Sequence, residues 1–197
     1  MSRRTDKELA AWADEHLVYE AQQLRFAAER LAALGDREAP ERNMAIESFA
    51  IHTRCLLEFL WGKPKKANDL RALHFCADWH TSGLPHLLSG VGARIDKEIV
   101  HLTYGRQLVA KEAKGWKFDA IYKAVTARLE EFARSALPER LAESTRRELS
   151  EFSAQPWRCG SESTVAVATT ASYDSVQAVA SEPGTIRFPP GAPLNRR

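Results

Sequence analysis

The sequence predicts an all-α protein, an up-and-down bundle of about four main helices with a disordered C-terminal tail. Three observations carry that expectation. Apolar residues recur at steps of three, four and seven along most of the chain. No segment alternates residue by residue, as a half-buried strand does. Glycine and proline gather at the ends of the periodic stretches, at Gly35, Gly62, Pro64 and Gly115, instead of interrupting them.

The first helix is expected over residues 6–34, with Leu9, Trp12, Ala13, Leu17, Leu24, Ala28 and Leu31 on its buried stripe and Gly35 where it stops. Such a helix spans about 40 Å. A second helix should start near Pro40 and end at Gly62–Pro64, burying Ile46, Phe49, Ala50, Leu56, Leu57 and Leu60. Between Asn68 and Leu88, Gly83 and Pro85 break the pattern, which predicts a short helix and a loop. Ser89 is placed to cap a third long helix, with Val91, Ile95, Ile99, Leu102 and Val109 facing inward, up to Gly115. The fourth helix, about 117–136, repeats Ile121, Val125, Leu129 and Phe132 at steps of four and three. Pro138 suits the first turn of a last helix whose alternating charges suggest a solvated, marginal element.

The chain has 197 residues, of which 44% are hydrophobic and 27% charged, so there is room for one sizeable domain. That domain is expected over 1–152. In the remaining segment, 153–197, Ala, Ser, Thr, Pro and Gly supply 25 of 45 residues, too few large apolar groups to offset the entropy of ordering. Its Thr185–Pro190 stretch, TIRFPP, is a candidate for docking on a protein partner. A net charge of +2 argues against a surface wholly devoted to nucleic acid. No run is apolar enough for a membrane span and no signal peptide opens the chain, so a cytoplasmic protein is expected. Three scattered cysteines do not make a disulfide framework.

The chemistry is concentrated in Arg94-Ile-Asp-Lys-Glu-Ile-Val-His101. On a regular α-helix, residues seven apart fall about 20° short of two full turns, so Arg94 and His101 share a face. Tyr104 continues that face three residues later. A histidine of near-neutral pKa can move a proton to or from a ribose 2′-hydroxyl, and an arginine can donate two hydrogen bonds to a phosphorane as its charge builds. The structural alternative is an ion pair from Arg94 to Glu98, with His101 bonded inside the bundle.

This arrangement, Arg-x6-His in an all-α domain with a long antiparallel partner helix, resembles the higher eukaryote and prokaryote nucleotide-binding (HEPN) superfamily over roughly Asn43–Phe132. The resemblance implies a metal-independent endoribonuclease, or a degenerate relative, of a toxin or defence type. It further implies a homodimer in which two motifs build one site, with Arg94 and His101 as the active pair. The residue after the arginine, commonly polar in active members, is Ile95 here, which leaves the polar role to Asp96 one place later. The family's acidic residue on an earlier helix would correspond to Glu47, which shares a helix face with Arg54, Glu58 and Trp61. For Arg54, an intrahelical pair with Glu58 is the simpler expectation.

Three further features complete the reading. Lys63, Lys65 and Lys66 form a basic turn beside Trp61, a candidate contact for RNA phosphates that could equally be a solvated turn. Trp12, Trp61, Trp79 and Phe75 are expected as core or interface anchors instead of a base-stacking platform. His74, Cys76, Asp78, His80 and His86 raise a metal-binding bundle as an alternative, but only one Glu-x-x-His pair, Glu98 with His101, is present where a di-metal bundle needs two. No cofactor and no metal are expected. The other alternative is a non-enzymatic helical dimerisation and interaction module.

Overall fold

The computed structural model describes residues 4–35, 40–66, 68–81, 83–100 and 115–154. The chain divides into two units, Met1–Ser163 and Thr164–Arg197, and every described residue belongs to the first. The expected disordered tail lies outside the described residues, apart from its first two positions at the end of the last helix.

The described part is all-α. Helix α1 (Asp6–Trp12) begins in a reciprocal cap: the Thr5 hydroxyl accepts from the Glu8 N–H, and the Glu8 carboxylate accepts from the Thr5 N–H at 2.7 Å. A π-helical turn, Ala13–Leu17, leads without a break into α2 (Val18–Leu34). Its cause is legible in the burial pattern. Leu9, Ala13, Leu17 and Ala21 are all buried at steps of four. A regular α-helix would rotate such a row by about 40° per step, and the wider π turn takes up the drift. Gly35 closes α2 with a positive φ of 58°.

Helix α3 (Pro40–Trp61) folds back antiparallel on α2. The pairing is fixed at both ends: Arg42 donates to the Gly35 carbonyl at 2.8 Å, and His52 meets Glu20 at 2.8 Å. After α3 come 3₁₀ turns at Ala72–His74 and His86–Leu88, where the sequence predicts a short helix and a loop. Helix α4 (Val91–Ile95) is capped by Gly90 at φ 79°, without a side-chain bond, so Ser89 is not the cap. The α geometry lasts only to Ile95, and Asp96–Val100 is a second π-helical turn. The rest of the expected third helix, 101–114, lies outside the described residues.

Helix α5 (Phe118–Ser135) buries Ile121, Val125, Leu129 and Phe132, the row that its sequence marks. Helix α6 (Glu143–Ala154) starts five residues beyond Pro138 and is not a solvated element. Leu141, Thr145, Leu149 and Phe152 are buried in a row at steps of four, four and three, and α6 packs on α2 and α5. The centre of the bundle is aromatic. Phe59, Phe75 and Phe132 meet pairwise with ring centroids 5.1 to 5.8 Å apart, and Trp12 stacks on Phe59. Among the described residues no helix is long and apolar enough to cross a membrane.

Candidate functional site

Arg94 lies in the last turn of α4, immediately before the π turn. Its guanidinium is engaged on three sides. Nε donates to Glu98 at 2.7 Å, Nη1 donates to the Gly115 carbonyl at 3.0 Å, and the group lies 4.1 Å from the centroid of the Trp116 ring. Only 28% of the Arg94 side chain and 17% of the Glu98 side chain are exposed. A cation stacked on an indole and paired with a part-buried carboxylate is a strong anchor between α4 and the start of α5.

Asp96 is also engaged, with Arg54 of α3. Arg54 continues to Glu58 at 3.3 Å, and Glu58 to Arg71 at 3.7 Å. Arg71 in turn reaches Asp69 at 3.2 Å. The result is a chain of alternating charges that ties α3, α4 and the 65–71 turn together. The Arg54–Glu58 pair expected from spacing is present, but the same guanidinium also spans the gap to α4. The face of α3 carrying Glu47, Arg54 and Glu58 therefore does meet the third helix, at Asp96. Glu47 itself is exposed two turns away from that contact. Among the described residues, the ion-pair partner of Arg94 is Glu98.

His101 and Tyr104 lie outside the described residues. The spacing that joins His101 to Arg94 assumes 3.6 residues per turn, whereas Asp96–Val100, which separates them, is π-helical.

Lys63, Lys65 and Lys66 are exposed, and their turn is organised by Asp69, whose carboxylate accepts the Lys65 N–H at 2.9 Å and the Lys66 N–H at 3.1 Å. Those bonds hold the Asp69 carboxyl below its usual range. Trp61, beside the turn, is buried and cannot stack on a base. It forms one wall of a slot around Arg128, whose guanidinium lies 3.9 Å from the Trp79 centroid and 5.5 Å from that of Trp61. Trp79 is fixed in turn by donating to the Leu60 carbonyl at 2.8 Å.

The histidines between 74 and 86 do not converge. His74 accepts the Arg71 N–H at 2.9 Å, Cys76 is buried, and no three His, Cys, Asp or Glu side chains are placed to hold a metal ion among the described residues. The sequence reading missed the Arg54–Asp96 bridge, the Arg128 slot and the role of Trp116. Of these, only Trp116 was signalled, by an aromatic residue next to the Gly115 break.

No protein-family model matches the chain, and comparison with curated proteins and with solved structures likewise gives no match.

Proposed function

We propose that this chain is a non-enzymatic helical interaction module that works by associating with itself and with other proteins. The observation that carries the reading is the engagement of Arg94. A phosphorane-binding arginine must offer its planar fork to substrate, and this fork is taken up by Glu98, the Gly115 carbonyl and the Trp116 face. Asp96, the polar neighbour, is likewise neutralised by Arg54. In this reading the sequence of segment 153–197, with its TIRFPP stretch, supplies a second recruiting element.

The test is incubation of the purified full chain with labelled RNA in EDTA. The module reading expects intact RNA, and expects Arg94→Ala to lower the melting temperature. A second reading, a HEPN-like ribonuclease, is favoured by one observation: a π turn begins immediately after Arg94, and such turns are frequent at functional sites. That reading expects cleavage to a 2′,3′-cyclic phosphate, spared DNA, and loss of cleavage in His101→Ala without loss of fold. Lys63, Lys65 and Lys66 would then contact phosphates, with a cleavage rate that falls as salt rises.

A further inference from the structure

Six large apolar side chains are exposed among the described residues, and four of them lie on the outward sides of α2 and α3: Tyr19 (50% exposed), Phe26 (59%), which also borders the groove to α6, Met44 (68%) and Ile51 (45%). Tyr19 and Phe26 stand seven apart on α2, opposite its buried row of Ala21, Leu24, Ala28 and Leu31. Met44 and Ile51 stand seven apart on α3, opposite Ala45, Phe49, Leu56 and Leu60. The antiparallel hairpin sets these two short stripes side by side, and Tyr19 rests edge-on against His52 with centroids 5.8 Å apart. Isolated exposed apolar residues need no explanation, but a two-helix face built this way does.

We infer that the outer face of the α2–α3 hairpin is an isologous dimer interface whose occupant is a second copy of this chain. The inference rests on the interaction-module reading and names its surface. The arrangement of side chains about one level of the hairpin argues for a second copy. Counting from Gln23, Tyr19 lies four residues back and Phe26 three residues on, while Glu15 lies eight back and Arg30 seven on. A two-fold axis crossing the face at Gln23, perpendicular to the helices, therefore sets Tyr19 of one copy against Phe26 of the other. The same axis sets Arg30 against Glu15 twice over. Both charged residues are exposed, Glu15 with 79% of its side chain accessible. On α3, His52 meets Glu20 and Tyr19, so the neighbouring Ile51 borders the α2 stripe near Tyr19. Along α2 the surface is thus complementary to itself in apolar pattern and in charge.

The area is sufficient. The 17 residues of α2 span about 25 Å, and two adjacent helices are about 20 Å wide, giving roughly 500 Å² of projected face per copy. The pair would bury on the order of 1,000 Å², the lower bound of a specific interface. A dimer in micromolar exchange is the expected result.

The experiment uses the full chain. Light scattering and sedimentation at tens of micromolar should show a dimer. Phe26→Glu and Ile51→Glu should each weaken it by about 30-fold or more, while circular dichroism and the melting temperature stay unchanged. Arg30→Glu or Glu15→Arg alone should weaken it by about tenfold, and the double exchange should restore it. A chain that remains monomeric, leaving the face to a different protein, overturns the proposal. So does a dimer indifferent to Ile51→Glu, or charge variants that fail to rescue one another. RNA cleavage by a chain that still forms this dimer would refute the module reading and leave the surface standing. An RNA-inert monomer would do the reverse.

Discussion

The guanidinium of Arg128 lies 3.9 Å from the ring centroid of Trp79, inside a slot closed on its other side by Trp61. The same group donates to the His80 carbonyl and to the Glu131 carboxylate. One side chain of α5 thus fixes the 76–81 loop against the end of α3. Replacement by lysine keeps the charge but loses the plane that stacks and the fork that bonds twice. Arg128→Lys should cost about 1–3 kcal/mol in urea denaturation and should alter the near-ultraviolet circular dichroism of the tryptophans.

Arg146 of α6 performs a different task at the same end of α5. It donates to the carbonyls of Ala133 and, at 3.0 Å, Ala136, where the last turn of α5 has no intrahelical donors. A cation at a helix C-terminus also opposes the negative end of the macrodipole. Arg146→Ala should destabilise the fold by about 1–3 kcal/mol, and Arg146→Gln should recover part of that by donating without charge. Equal losses for the two variants would show that the charge, and not the donated bonds, carries the effect.

Gly62 ends α3 under tight constraint. A Cβ built there would stand 2.2 Å from the Glu58 carbonyl oxygen and 3.1 Å from Nε of Arg71. The carbonyl is fixed because it accepts the Gly62 N–H at 3.0 Å. Gly62→Ala must therefore displace the helix end and the Arg71 chain of charges. A loss of about 1–3 kcal/mol is expected by thermal unfolding, larger than for Gly92→Ala, where a Cβ meets nothing within 4 Å.

Cys55 is an exposed residue whose thiol is held toward its neutral form. Partial withdrawal of the sulfur from water, followed by the Glu20 carboxylate, pushes it up to about 11. At pH 8 the thiolate fraction falls by more than two orders of magnitude relative to an ordinary cysteine, and higher intrinsic nucleophilicity recovers only part of that. Iodoacetamide should label Cys55 about tenfold or more slower than a free thiol, and Glu20→Gln should accelerate it. Raising the pH toward 11 should close the gap.

Periodicity made the long helices legible because each buries one uninterrupted row. Phe49, Leu56 and Leu60, or Ile121, Val125, Leu129 and Phe132, could be read directly from their spacing. Helix α6 was harder because Thr145 stands in its buried row. That threonine is accommodated by donating to Asp14 at 2.9 Å, a partner 131 residues away that no local pattern announces. The π turns escaped for a related reason: an apolar row at steps of four fits either a drifting α-helix or a π turn. The same ambiguity affects the site. Arg94 with Glu98 was readable as an i, i+4 pair, but Trp116 and the Arg54–Asp96 bridge depend on how distant segments meet.

The contact between Phe75 and Leu137 bears on how the chain assembles. The Leu137 N–H donates to the Phe75 carbonyl at 2.9 Å, and Cys76 bridges Ala136 beside it, so the end of the 71–76 turn is tied to a segment some sixty residues downstream. The α2–α3 hairpin can zip from its own turn, a local and fast event. The segment carrying Phe75 and Trp79 has a single 3₁₀ turn of its own, and Phe75 and Cys76 complete their pairing only when the end of α5 arrives. Closing that long excursion is the expected slow step. A stopped-flow trace of tryptophan emission would thus time the joining of the two halves, well after the helices themselves have formed.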